Sequence, residues 1–266
     1  MPTSAAVFDS SIDRWIAEGH TPWGKLRCTV TLANLRRHLG PGPFDILDAG
    51  GGNGRDSIPL AAQGHRLTIV DYSATMLADA ARNATAAQAQ ERVTVHQAEL
   101  QALPELFPHP CFDTVLCHNV LQYVDDVPAL LATVAAPLRP GGLLSIISVN
   151  RYAIPYRAAF LQDDLAQAYA KLDQHSDTAI LFGTIMNQFS AEEIVTMLPA
   201  AGCVALEDYG IRCICDYWGD NQRKSDPAIF AQIERLELAL TDRHPYKLLA
   251  RYFQVVARKG NYLEKH

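Results

Sequence analysis

Positive charge is scarce in this sequence: 23 lysines and arginines stand against 29 aspartates and glutamates, giving −6 and a pI near 5.8. A protein that lives on phosphate contacts usually carries a basic footprint, so any contact with nucleic acid must rest on a local patch. Long apolar runs are missing as well. The longest, Leu143–Val149, fits a buried strand and falls far short of a membrane span. Residues 1–6 lack a basic region followed by an apolar core, so no signal peptide and a cytoplasmic location are expected. The six cysteines, at 28, 111, 117, 203, 213 and 215, form no C-x-x-C pair. Reduced core thiols are expected from them, and no metal site.

What the sequence does have is a glycine cluster in an informative place. Residues Ile46 to Gly54 read as an apolar strand, then Asp48, then Gly50, Gly51, Gly52 and Gly54. Glycine lets the backbone turn sharply off a strand and approach a ligand closely, because no Cβ intervenes. A second apolar run, Leu67–Val70, ends on Asp71, about where ribose hydroxyls are received in nucleoside-binding folds. A dinucleotide fingerprint needs G-x-G-x-x-G, and the residue in its last slot is Arg55, which argues against a nicotinamide dehydrogenase. Asp48 also suits a ligand with a cationic end better than one with phosphates. The pattern Asp48-x-Gly50-x-Gly52-x-Gly54 resembles the first motif of the class I S-adenosylmethionine (SAM) methyltransferases.

Along the chain, strand and helix patterns alternate. Helices are expected over Phe8–Glu18, Leu26–Leu39, Gly54–Gln63, Ser73–Ala87, Pro128–Leu138, Ala191–Ala201 and Pro227–Leu240. Strands are expected over Phe44–Ala49, His65–Val70, Arg92–His96, Phe112–His118, Leu143–Val149, Val204–Tyr209, Ile211–Tyr217 and Leu248–Ala257. Pro140-Gly-Gly142 is read as a helix terminator. The alternation argues for an α/β fold with a parallel, Rossmann-like doubly wound sheet, helices on both faces, in a single domain over 1–266. Residues 1–40 would supply helices over the cleft. The rhythm breaks over 150–188, and with Tyr152–Ala170 patterned as helix this stretch reads as a mainly helical cap.

Ligands of such sheets bind at the carboxyl ends of the strands. That places Asp48–Gly54, Asp71, Glu99, Leu100 and His118 around one crevice, with Asp71 on the ribose and Glu99 facing the adenine edge. Each assignment competes with an ordinary one: a helix cap for Asp71, a solvated loop acid for Glu99, a packing residue for His118. Further motifs occur in order: Gly24–Arg27, Leu47–Gly52, Cys117–Tyr123, Gly210–Arg212 with Asp216-Tyr217, and Pro245-Tyr246 with Arg251-Tyr252 and Ala257–Lys259. Together they resemble the bacterial tRNA carboxymethoxyuridine methyltransferases, which esterify a carboxylate on a wobble base. The resemblance implies that Arg27 pairs with the methionine carboxylate of SAM, that Gly50 and Gly51 underlie the methionine portion, that Asp71 holds the ribose and that His118 contacts the cofactor. It makes Arg212 and Tyr217, with Asn150, Arg151 and Tyr152 at the lip of the cap, candidates for gripping an anionic acceptor. His118, Arg212 and Tyr217 would position rather than react, and no catalytic residue is assigned.

The expected activity is SN2 methyl transfer from SAM to an oxygen acceptor, a carboxylate in particular, leaving S-adenosylhomocysteine. Two alternatives remain open at this level. The stretch Lys171–Phe182 carries a single positive residue, which favours a small carboxylate or phenolic metabolite as acceptor. A SAM-binding partner subunit without turnover is the alternative from another class. Oligomeric state is not legible.

Overall fold

The computed structural model describes residues 17–174, 176–179 and 184–260. Most of the expected Phe8–Glu18 helix lies outside the described residues. Nine strands are assigned among the described residues: β1 (Asp45–Ala49), β2 (Arg66–Asp71), β3 (Val93–Gln97), β4 (Phe112–His118), β5 (Leu138–Val149), β6 (Ser176–Ala179), β7 (Thr184–Asn187), β8 (Cys203–Ile211) and β9 (Tyr252–Lys259). The helices are α1 (Pro22–Arg36), α2 (Ile58–Ala61), α3 (Ala74–Ala86), α4 (Leu103–Leu106), α5 (Val127–Ala135), α6 (Ala153–Leu161), α7 (Leu165–Ala170), α8 (Ala191–Met197), α9 (Asn221–Lys224) and α10 (Pro227–Leu240).

Local sequence explains most boundaries. Thr21, Ser73, Asp126, Ser190 and Asp226 each precede a helix and accept backbone N–H groups from its first turn. Such caps satisfy donors that have no partner within the helix. Successive residues of a strand face opposite sides, and both sides are covered. Ile46 and Leu116 join a core with Leu35, Leu60 and Ile69, whereas Leu47 and Val115 join one with Leu131, Val134 and Ile146.

The main sheet has seven strands in the order β3-β2-β1-β4-β5-β9-β8. The first five run parallel, while β9 pairs antiparallel with β5 and β8 antiparallel with β9. The sheet is therefore mixed, not wholly parallel. The carboxyl ends of β1, β2, β4 and β5 form one edge, and the antiparallel β9 begins at that same edge, with Tyr252 opposite Val149.

Three local expectations are corrected. The helix after the glycine loop covers only Ile58–Ala61, because hydrogen-bonded turns occupy the residues before it. Pro140-Gly-Gly142 does not end a helix but lies within β5, where the pairing with β4 shifts register. The expected strand Ile211–Tyr217 does not form: Arg212 takes φ +64° and β8 ends at Ile211. The chain then turns so that the N–H groups of Cys213, Ile214 and Cys215 all donate to the Glu237 carboxylate. The cap is mainly helical, as expected, with α6 and α7 followed by the antiparallel pair β6–β7.

Candidate active site

The glycine loop leaves β1 at the carboxyl edge. Gly50, Gly52 and Gly54 have φ of +74°, +54° and +72°, in the region that L side chains rarely adopt. A Cβ on Gly51 would stand 2.4 Å from Cγ of Asp48, and one on Gly50 would stand 2.6 Å from Cγ2 of Val120. Leu100 approaches the same Gly50 position at 3.7 Å. A Cβ on Gly54 would instead collide with Ile58 and Ile69, so this glycine serves the close packing of α2 on the sheet. Asp48 is buried beneath the loop. Burial pushes its carboxyl up to about 6, against the pull of His118 in the other direction.

Asp71 ties the loop to the second strand. Its Oδ2 accepts the Gly52 N–H at 2.9 Å and its Oδ1 accepts the Ser73 N–H at 2.9 Å. Two of its roughly four acceptor positions are thus used by backbone donors. Burial raises its carboxyl pKa, with the backbone N–H groups of Ser73, Gly52 and Tyr72 acting in the opposite sense. Glu99 is exposed and close enough to Asp71 to repel it, and Leu100 opens the short helical turn that follows.

Arg27 and His118, 91 positions apart in the chain, meet through a residue the sequence did not single out. Asp56 accepts from Nη1 and Nη2 of Arg27 at 2.7 and 2.8 Å, and Nδ1 of His118 lies 3.1 Å from the same carboxylate. Burial opposes ionisation of Asp56, yet Arg27 and His118 together hold its carboxyl far below the ordinary range. The other ring nitrogen of His118 lies 2.9 Å from Oγ of Ser145, which in turn accepts from Nε2 of Gln254 at 3.0 Å. Directionality closes with Nδ1–H of His118 donating to Asp56 and the Ser145 hydroxyl donating to Nε2. Oε1 of Gln254 accepts from Asn34, which also contacts Thr241, so the chain continues into α1 and the end of α10. Both nitrogens of His118 are engaged. Asn119, directly after it, has φ +58° and turns the loop toward Val120.

The candidates for acceptor contact separate into two sets. Asn150 faces inward, donating from its amide to the carbonyls of Leu248 and Ala250 at 2.8 and 2.9 Å, so it anchors the cap to the chain before β9. Arg151 lies against Glu193 at 3.4 Å and over the ring of the exposed Tyr152. Tyr217 donates its hydroxyl to the Leu249 carbonyl, and its ring meets Tyr156 edge-on. Arg212 is buried, with Nε donating to Oδ1 of Asp216 at 2.8 Å and a second contact through Nη2. Arg157 and Arg251 approach the other Asp216 oxygen at 3.3 and 3.8 Å. Sequence patterns could not signal Asp56, Ser145 or Arg157, because each acts through a partner from 27 to 62 positions away. Among the described residues no cluster of His, Cys, Asp and Glu could hold a metal ion.

Comparison with known proteins agrees with this geometry. The methyltransferase domain family matches residues 46–142, from β1 to the start of β5. The tRNA 5-carboxymethoxyuridine methyltransferase of Escherichia coli K12 is 27% identical over 250 residues, covering 92% of each chain. The ubiquinone biosynthesis O-methyltransferase of Paramagnetospirillum magneticum is 31% identical over 171 residues, covering 57% of this chain and 64% of its own. Among solved structures, a SAM-dependent methyltransferase from Thermotoga maritima superposes with a TM-score of 0.62 at 17% identity, covering 96% of this chain and 98% of its own. The 1,6-didemethyltoxoflavin-N1-methyltransferase of Burkholderia thailandensis, solved with S-adenosylhomocysteine, gives 0.59 at 22%, covering 98% and 91%. These matches support a SAM-dependent methyltransferase of class I. The positive-φ glycine turn at the carboxyl edge and the Asp71 carboxylate tethered to it fit that cofactor.

Proposed function

We propose that the protein methylates a carboxylate oxygen of its acceptor to form a methyl ester, and that the acceptor is carboxymethoxyuridine in a tRNA. The observation that carries this reading is the engagement of His118 on both sides, by Asp56 and by Ser145. A general base needs a free lone pair within reach of the acceptor and a pKa near the working pH. Nearby groups do not meet that need. Burial and Asp56 push Cys28 up to about 12, and burial pushes Tyr123 to about 12. Asp48 lies buried beneath Gly51. An acceptor that arrives already ionised needs no base, and a carboxylate is ionised at neutral pH. The full-length similarity to the E. coli tRNA enzyme supports the same substrate class.

SAM supplies the activated methyl group and its leaving group. The chain supplies alignment. Asp71 offers its remaining acceptor positions to the ribose hydroxyls, with Leu100 flanking the base and Glu99 facing its edge. Gly50, Gly51 and Gly52 underlie the methionine portion, Asp48 faces its cationic end, and Arg27, fixed by Asp56, faces its carboxylate. His118 contacts the cofactor and holds Asp56 in register. Such positioning accounts for a large share of the rate in transfers between bound partners.

A small carboxylate or phenolic metabolite is the second reading. It is favoured by the single positive residue of Lys171–Phe182 and by the exposed Phe160, Leu165 and Tyr169 on the cap. Incubation with methyl-labelled SAM, together with tRNA lacking the ester or with a small-molecule extract, separates the two. Label in tRNA nucleosides that mild alkali removes is the expected result; label confined to the small-molecule pool would replace this reading with the second.

A further inference from the structure

Asp216 is surrounded by more positive charge than it can balance. Arg212, Arg157 and Arg251 converge on its one carboxylate. The three arginines come from three parts of the chain: the break after β8, helix α6 of the cap, and the residue before β9. Local backbone pairing holds two of them together, since the Arg251 N–H donates to the Arg212 carbonyl and the Asn150 N–H donates to the Arg251 carbonyl. These bonds extend the β5-β9-β8 ladder one step past the carboxyl edge that carries the glycine loop. Tyr252 joins this corner to the cofactor side. Its ring lies under the guanidiniums of Arg212 and Arg251, and it is close enough to Arg27 for the two to interact electrostatically.

Exposure distinguishes the three. The side chains of Arg212 and Asp216 are 8% and 3% exposed, whereas those of Arg157 and Arg251 are 29% and 20% exposed. Arg212 is aligned on Asp216 through two nitrogens, a commitment that leaves it as a base plate. Arg157 and Arg251 reach the carboxylate by longer, single contacts. Two partly buried guanidiniums beyond the charge of their shared acid call for a second anion, and a planar carboxylate is the group whose shape their forks match.

We propose that Arg157 and Arg251 receive the carboxylate of the methyl acceptor at the cap side of the crevice, with the Arg212–Asp216 pair holding them in place. This deepens the reading given above and rests on it for the identity of the acceptor. It also moves the acceptor contact from Arg212 to residues on α6 and before β9. Arg157 rides on the cap, so acceptor capture and cap position are coupled through one side chain.

The test uses the full chain saturated with S-adenosylhomocysteine and titrates phenoxyacetate, whose aryl–O–CH2–carboxylate arm mimics a carboxymethoxy base. The neutral methyl ester of the same compound serves as the control. Wild type is expected to bind phenoxyacetate and to ignore the ester. Arg157→Gln should weaken phenoxyacetate at least tenfold while leaving S-adenosylhomocysteine affinity within twofold, which also reports folding. Arg157→Lys, keeping the charge without the fork, should fall between the two. With a methylatable acceptor, Arg157→Gln should raise KM far more than it lowers kcat. Equal binding of phenoxyacetate by wild type and Arg157→Gln, or binding by neither, would overturn the assignment. Loss of phenoxyacetate in Arg157→Gln with no methyl ester formed on any carboxylate would leave the anion subsite standing and remove the proposed reaction instead.

Discussion

Among the described residues two buried aspartates are gripped by arginine, and the two sites differ in charge balance. Asp56 faces one arginine and one histidine; Asp216 faces three arginines. At Asp56 the single bidentate pair neutralises Arg27, and the contacts run on through His118, Ser145 and Gln254 into the sheet. Such a site fixes the direction in which Arg27 is presented. At Asp216 the acid is outnumbered, and two of its partners keep a solvent-facing side. The balanced pair orients one guanidinium, whereas the unbalanced cluster carries net positive charge. Burying unlike charges costs desolvation at both sites, and only a second anion would complete the compensation at Asp216.

The largest effect that would break this comparison comes from removing either acid. Asp216→Ala and Asp56→Ala should each cost about 3–5 kcal/mol in urea unfolding, since each strands buried guanidinium charge. The two should then diverge. Added sulfate should restore stability to Asp216→Ala more than to Asp56→Ala, because two partly exposed guanidiniums, Arg157 and Arg251, face it there and a single, less exposed one at Asp56. Equal rescue of both would erase the distinction.

Next in size is Gly51→Ala, whose Cβ would press on Asp48 at 2.4 Å. Calorimetric affinity for S-adenosylhomocysteine should drop by more than about tenfold, or roughly 1.4 kcal/mol, without change in phenoxyacetate affinity. Asp71→Asn should lose about 1.5–3 kcal/mol of cofactor affinity, as one charged acceptor of hydroxyl hydrogen bonds disappears. It too should spare the Arg157 side.

The smallest expected effect is a pH dependence. The folded-state pKa of Asp48, about 6, lies above its unfolded value, so its ionisation subtracts stability from the cofactor-free protein as pH rises from about 4 to 6. A ligand with a cationic end favours the ionised form. The rise in melting temperature produced by SAM should therefore grow from pH 5 to pH 7, and Asp48→Asn should flatten that trend. A stabilisation that shrinks over this range would contradict the placement of Asp48 beneath the cationic end.

Local chemistry made much of the fold legible. β4 and α10 occupy the expected residues because apolar runs and an Asp-Pro start define them without help from the rest of the chain. The turn at the positive-φ glycines and the place of Asp71 at the end of β2 were readable for the same reason: they follow from spacing and backbone freedom. Errors arose where distant groups decide. The run after Ile211 looked like strand, yet the Glu237 carboxylate, more than twenty positions on, gathers its N–H groups into a turn. Pro140-Gly-Gly142 carries every local sign of a terminator, yet pairing with β4 draws it into β5. Within the site, Arg27 and His118 could be nominated singly, but not the Asp56 that joins them. Arg212 and Arg251 stood in sequence motifs, but Arg157, and the meeting of all three, became visible only once the cap and β9 met at Asp216.

In the proposed reaction the acceptor arrives ionised, so the chain aligns it and removes no proton. The most direct measurement is kcat/KM for the acceptor between pH 7 and 9 at saturating SAM, in wild type and in His118→Asn. A flat profile in both, with His118→Asn lowering the plateau without reshaping it, is the predicted result. A profile that rises with unit slope in wild type and loses that slope in His118→Asn would make His118 a general base and contradict the account.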